Sequence, residues 1–181
     1  GVVWLVAALG FGGWYQGAAF AAEDAPLISG SLSIEIENDN TYKSDDADAE
    51  VNDLYTTTEP EIVFQFRPEL SLLLHGVLEP VRDPGPGDDR VFEDHGLYLQ
   101  EIKLTYETDR FSVYGGKFGP NFGTAWDLMP GVFGSDFNGD YEITEQIGLG
   151  GSVSFGNQAA GTHTLGASVF FADTTFLSES V

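Results

Sequence analysis

The chain of 181 residues contains no cysteine and only 7 lysine and arginine residues, against 29 aspartate and glutamate residues. The lack of cysteine excludes a disulfide scaffold and a thiolate metal site. The shortage of cations, with a formal net charge of −22, argues against nucleic-acid binding, because phosphates are bound by lysine and arginine. It argues equally against docking on an anionic cytoplasmic leaflet. A hydrophobic content of 42 % nevertheless predicts a folded chain rather than a disordered one.

Long hydrophobic runs are also scarce, and the most apolar one is too short to cross a bilayer as a helix. This run, Val2 to Phe11, is followed by Ala19-Phe20-Ala21, which fits the small-x-small rule for signal peptidase with cleavage before Ala22. Residues 1–21 are therefore predicted to be a secretory signal peptide without its basic n-region, and residues 22–181 the mature fold. The alternative is a buried amino-terminal helix. Without a helical span, any membrane role depends on strands.

From residue 28 onward the apolar residues recur at every second position, which is the period of a β-strand. Leu32, Ile34 and Ile36 share one face, for example, whereas Glu35 and Glu37 share the other. The alternation predicts about seven strands, with bounds near 29–37, 60–67, 70–78, 97–108, 110–118, 143–155 and 164–172.

The connections between these strands alternate strictly between long and short. Long connections are predicted at 39–53, 79–94 and about 119–142, and short ones at 67–69, 108–110 and 156–162. This rhythm is typical of an outer-membrane barrel, which has short periplasmic turns and long outer loops. Only a closed sheet satisfies every backbone group of a strand in hydrocarbon. We therefore predict an all-β fold, namely part of an antiparallel up-and-down transmembrane β-barrel preceded by the signal peptide. A soluble β-sandwich, whose strands also alternate, is the alternative.

A barrel turns its apolar strand face to lipid and its polar face to a wet lumen. The polar faces of the second and fourth predicted strands carry Arg67, Glu101 and Lys103, which we predict to line the pore. Tyr98 is placed with the apolar residues of the fourth strand. It lies near a strand end, as an interfacial aromatic girdle requires.

The third long connection and its borders carry a set of short motifs: GKF at 116–118, FGTAWD at 122–127, PG at 130–131 and DYEITE at 140–145. With these motifs the chain resembles porin-like proteins of the Gram-negative outer membrane, especially those of alphaproteobacteria. The resemblance implies that the loop at about 119–142 folds into the lumen and narrows it, and that the protein forms a homotrimer. The alternative is a loop that lies over the rim or mediates trimer contacts.

If this loop narrows the lumen, its acidic residues would oppose Arg67 and Lys103 on the wall, and opposed charges of this kind orient and filter permeating solutes. The acidic residues concerned are Asp127, Asp136, Asp140 and Glu142. The overall acid excess predicts a preference for cations, because an acidic pore raises their local concentration.

The function predicted from these features is that of an outer-membrane porin for passive diffusion of small polar solutes or ions. Its expected partners are outer-membrane lipid, lipopolysaccharide and the permeating solutes. No nucleophile, base and oxyanion set is recognisable, and the histidines are not spaced as metal ligands, so we expect neither an enzyme nor a metal or cofactor. Two alternatives remain open: a non-conducting barrel or adhesin with acidic surface loops, and a secreted soluble β-sandwich that binds ligands.

Overall fold

The computed structural model describes residues 5–11, 27–120, 143–157 and 161–179. Regular structure in these residues is β, apart from a single 3-10 turn at Ala47–Ala49. The strands are β1 (Leu5–Phe11), β2 (Ile28–Asn40), β3 (Asn52–Arg67), β4 (Leu70–Pro80), β5 (Arg90–Val91), β6 (His95–Glu107), β7 (Phe111–Phe118), β8 (Gln146–Asn157) and β9 (Gly161–Ala172). The all-β prediction is confirmed, and each of the predicted strands has its counterpart. No helix in the described part of the chain is both long and apolar enough to cross a membrane.

The strands form one sheet in the order β1-β2-β3-β4-β6-β7-β8-β9, and each neighbour on this path is antiparallel. The short strand β5 lies off the path and pairs with β3 in parallel. The predicted antiparallel up-and-down topology is therefore confirmed. Within the described residues β9 pairs only with β8, so the sheet is not closed there and the barrel stays a prediction.

Successive connections lie at alternating ends of the sheet because every strand on the path runs opposite to its neighbours. Residues 68–69 and 108–110 connect strands at one end, where β8 also ends and β9 begins, and we call it the short-turn end. Residues 41–51 and 81–94 lie at the other end, where β7 also ends and β8 begins, and we call it the long-loop end. The alternation of long and short connections is thus confirmed, and it places the acidic residues of the first two long loops at one end of the sheet.

Strand β3, which corresponds to the second predicted strand, is longer than predicted. It begins at Asn52 rather than at Pro60. Proline has no amide to donate and is read from sequence as the start of a strand. Here Pro60 lies opposite Leu32 of β2, and no partner pair with β4 forms at positions 59 and 60. The interruption of that ladder is what allows a proline inside β3.

The predicted signal peptide contains the edge strand of the sheet. Leu5–Phe11 pairs antiparallel with β2, from Leu5 opposite Ile36 to Phe11 opposite Gly30. The remainder of residues 1–21, including the predicted cleavage site, lies outside the described residues, so removal of this segment stays a prediction.

Cross-strand partners gather the large apolar side chains on one side of the sheet, which we call the apolar face. Leu165 lies opposite Val153, and Val169 opposite Leu149. This face is open: Val169 is 74 % exposed, Leu165 65 % and Leu149 64 %. Among the described residues no second sheet packs over it, so the dry interior of a β-sandwich is not found there.

The prediction that Tyr98 belongs to the apolar face is wrong. A register shift between β4 and β6 pairs His75 with Glu101 but Gly76 with Leu99, so Gln100 is an extra residue. Such a β-bulge reverses the alternation along its strand. Tyr98 is therefore turned to the polar face, where it is 8 % exposed and its hydroxyl donates to Glu79.

Candidate functional site

The opposite side of the sheet, the polar face, carries a series of carboxylates. Strand alternation and register place there the acidic side chains that we call the acidic wall: Glu35, Glu37 and Asp39 of β2, Glu59 and Glu61 of β3, Glu79 of β4 and Glu101 of β6. The acidic wall is a consequence of period two, because these residues alternate with the apolar ones along each strand.

A charged row crosses the middle of the acidic wall. Glu61 lies opposite His75, and His75 lies opposite Glu101 on the next strand. The Nε2 atom of His75 is 4.0 Å from Oε1 of Glu59. An imidazole placed among three carboxylates gives this row a local excess of hydrogen-bond acceptors.

The side chains of Glu101 and Lys103 lie on the polar face, as the alternation predicted, and they are in contact there. Lys103 Nζ donates to Glu101 Oε2 at 2.9 Å. The other oxygen of Glu101 accepts from the amide of Gly119 at 3.1 Å. One carboxylate thus joins the wall to the start of the third long connection.

The remaining predicted pore residues are not brought to this pair in the described structure. Arg67 ends β3 beside the 68–69 turn, opposite Leu70, and is exposed. It therefore belongs to the short-turn end. The four acidic loop residues, Asp127, Asp136, Asp140 and Glu142, lie outside the described residues. Their position opposite the wall stays a prediction.

The first two long loops are joined into one hydrogen-bonded unit, which we call the loop lobe (residues 41–51 and 81–94). Its anchor is a bidentate ion pair: Arg90 Nε donates to Asp53 Oδ1 at 2.7 Å, and Nη2 donates to Oδ2. The side chains of Arg90 and Asp53 are only 6 % and 8 % exposed. Arg90 Nη1 also donates to the carbonyl of Arg82, which holds the second loop against the end of β3.

Backbone contacts complete the loop lobe. The amide of Gly87 in the second loop donates to Asp48 O in the first at 2.8 Å. The amide of Asn52 donates to Asp89 Oδ1 at 3.1 Å. The first two long loops are therefore folded onto one another at the long-loop end.

A cavity of about 410 Å³ lies between the loop lobe and the polar face. Its floor includes Asp39, Tyr55 and Glu79 from the long-loop ends of β2, β3 and β4, and its roof includes Arg82 and Asp83. Tyr55 Oη donates to Glu37 Oε2 at 2.7 Å. The cavity is therefore walled by strands on one side and by a loop pinned through Arg90 on the other.

The segment after β9, residues 173–179, which we call the strap, is fixed by a second buried ion cluster. Lys117 Nζ lies 2.7 Å from Glu145 Oε1 and 2.7 Å from Asp173 Oδ2, and it also donates to Leu177 O at 3.0 Å. The Lys117 side chain is 4 % exposed. Ser178 Oγ donates to Glu145 Oε2 at 2.9 Å.

The strap reaches β6 beyond the end of β7. The amide of Leu99 donates to Leu177 O at 3.1 Å, whereas β6 pairs with β7 only from Ile102 onward. The strap therefore takes up a backbone donor that β7 leaves without a partner. It crosses the long-loop ends of β8 and β7 to do so.

Sequence reasoning missed the partners that create these features. Alternation places Glu61 and His75 on the polar face, so the charged row was within its reach. No local sequence pattern indicates that Arg90 pairs with Asp53, since the two residues are 37 positions apart. The same holds for the contact of Lys117 with Asp173.

Within the described residues no group of three or more histidine, aspartate or glutamate side chains is arranged to hold a metal ion. Comparisons with protein-family models, with curated proteins and with solved structures returned no match to this chain.

Proposed function

We propose that this chain is part of an outer-membrane β-barrel that forms a water-filled, cation-preferring channel for small polar solutes or ions. The observation that carries the proposal is the open apolar face, on which Val169 is 74 % and Leu165 65 % exposed. Uncovered apolar area on this scale needs a partner, and acyl chains match a face built from aliphatic and aromatic groups.

The acidic wall supports a water-filled lumen that prefers cations. Its carboxylates lie on the face opposite to the apolar one, as a lumen requires. Among the described residues, the basic side chains that lie beside the acidic wall are Lys103 and His75. Lys103 is paired with Glu101. The net negative potential would concentrate cations in the lumen.

Export to the outer membrane fits the predicted signal peptide. Cleavage before Ala22 would remove Leu5–Phe11 from the edge of β2. That edge would then be free to pair when the barrel closes, and closure satisfies backbone groups that hydrocarbon cannot. Amino-terminal sequencing of the exported protein tests this step, and a mature chain that retains Leu5 would contradict it.

Conductance in planar bilayers tests the channel itself. The refolded full-length protein should give stable ohmic current, with a reversal potential in a KCl gradient that indicates cation preference. Glu61→Gln should reduce that preference, whereas Glu69→Gln, in the exposed 68–69 turn, should leave it unchanged. Membrane insertion without current would instead favour a non-conducting barrel whose loop lobe serves as an anchor or adhesin.

A further inference from the structure

We infer that the cavity beneath the loop lobe is a binding site for a small organic cation bearing a primary ammonium group. The inference deepens the proposed function, since the cavity lies on the polar face at the mouth of the proposed channel. Its volume of about 410 Å³ falls within the range of small-molecule sites. Inorganic cations are a poorer match because no metal-ligand cluster is present among the described residues.

The hydrogen-bonding groups of the lining determine the ligand class. Two donors of the lining are already used, since Arg90 gives protons to Asp53 and to Arg82 O and Tyr55 gives its proton to Glu37. Arg82 and the hydroxyls of Thr41 and Thr57 are the other side-chain donors of the lining. The carboxylates of Asp39, Glu79 and Asp83 remain as acceptors with lone pairs to spare. A cavity in which three carboxylates outnumber one unpaired guanidinium fits a ligand that only donates at its charged end.

The net charge of the lining side chains also favours a cationic ligand. Asp53 is neutralised by Arg90, which leaves Asp39, Glu79 and Asp83 against Arg82 in the lining. The guanidinium of Arg82 is exposed and has neither an ion pair nor a hydrogen bond to another described residue. The cavity is thus acidic with one removable opposing charge.

The walls are also held in place before any ligand arrives. The buried Arg90–Asp53 pair fixes the roof to β3. The amide of Gly87 fixes the second loop to the first through Asp48 O. Such preorganisation lowers the ordering entropy that binding would otherwise have to offset.

The test is calorimetric titration of the refolded full-length protein with glucosamine and with glucose, which share a hydroxylated ring and differ in the ammonium group. Glucosamine should bind and glucose should not. The double change Asp39→Asn with Asp83→Asn should weaken glucosamine binding about tenfold or more, since hydrogen bonds to charged groups contribute about 1.5–3 kcal/mol each. Tyr55 keeps its bond to Glu37 in that variant.

The variant Arg82→Gln should change the affinity for glucosamine in the opposite direction. Removing the one opposing charge should tighten glucosamine binding by about threefold, a gain that misfolding cannot imitate. Glu107→Gln, at the short-turn end, should bind as the parent does. Equal binding of glucose, no binding of either sugar, or weaker binding in Arg82→Gln would overturn the inference. Because titration needs no current, its failure is separate from a failure of the channel proposal.

Discussion

Arg90 and Asp53 lie 37 positions apart and form a bidentate ion pair at the long-loop end of β3. Both side chains are more than nine-tenths buried, so each charge depends on the other for compensation. Two long acidic loops thereby become part of the folded structure.

Arg90→Met should destabilise the protein strongly. It leaves the carboxylate of Asp53 buried without a counter-charge, and breaking a buried pair in this way costs about 3–5 kcal/mol. The free energy of unfolding from urea titrations of the refolded protein, followed by circular dichroism, measures the loss. Arg110→Met, which removes an exposed cation at the short-turn end, should change it by less than about 0.5 kcal/mol. Similar values for both variants would contradict the anchoring role of Arg90.

Neighbouring residues in β9 lie on opposite faces of the sheet, and the proposed barrel would turn one of these faces to lipid and the other to water. Leu165 is on the apolar face and Thr164 on the polar face, where its hydroxyl lies 2.8 Å from Ser154 Oγ. In lipid bilayers Leu165→Arg should cost about 2–4 kcal/mol, and Thr164→Arg about 1 kcal/mol for the lost hydrogen bond. Because Leu165 is 65 % exposed, arginine there would be nearly neutral if the face met water. A neutral Leu165→Arg in bilayers would therefore count against the membrane proposal.

Two glycines of the β8–β9 pair should respond differently to alanine. A Cβ on Gly148 would lie 2.2 Å from the carbonyl oxygen of Val169, whereas the nearest atom to a Cβ on Gly166 is 3.5 Å away. Gly148→Ala must displace backbone and should cost about 1–3 kcal/mol. Gly166→Ala should be neutral or stabilising by about 0.5 kcal/mol, since alanine restricts the unfolded chain. Urea unfolding of the two variants side by side checks the difference, and equal losses would argue against this β8–β9 register.

Docking of the strap should depend on pH in two opposite ways. Burial disfavours ionised Asp173, but the ammonium of Lys117 and the hydrogen bonds from Thr175 outweigh it and lower the pKa of Asp173 below its ordinary 3.8. Partial burial and the carboxylates of Glu79 and Glu145 raise the pKa of Glu179 above its ordinary 4.5. The Asp173 contribution is therefore full above 3.8 and is lost as pH falls through its lowered pKa. The Glu179 contribution is full below 4.5 and is lost as pH rises through its raised pKa.

The strap should consequently be docked most firmly between about pH 3.8 and 4.5. Protection of the Leu99 amide, which donates to Leu177 O, reports docking once intrinsic exchange rates are corrected for pH. Glu179→Gln should remove the loss on the alkaline side and keep the loss on the acid side. Added salt should reduce the loss on the alkaline side in the parent without abolishing it, because salt screens the repulsions of Glu179 from Glu79 and Glu145 but does not change its partial burial. Protection that rises steadily with pH would contradict the assignment.

The alternation of side chains determined much of this molecule from sequence alone. Leu32, Ile34 and Ile36 on one face, with Glu35 and Glu37 on the other, require only a period of two, which is a local property of an extended chain. The placement of Glu101 and Lys103 on one wall followed from the same rule. Tyr98 did not, because the extra residue Gln100 reverses the alternation and becomes visible only when β6 is aligned against β4.

Tertiary structure alone decided which distant charges meet. The pairing of Arg90 with Asp53 and of Lys117 with Asp173 depends on where two loops and a strap return to the sheet. Each of the 7 lysine and arginine residues has many possible partners among the 29 carboxylates of the sequence, and no local signal distinguishes them. Burial decides which charges pair, because a charge removed from water must have its counter-ion within a few ångströms.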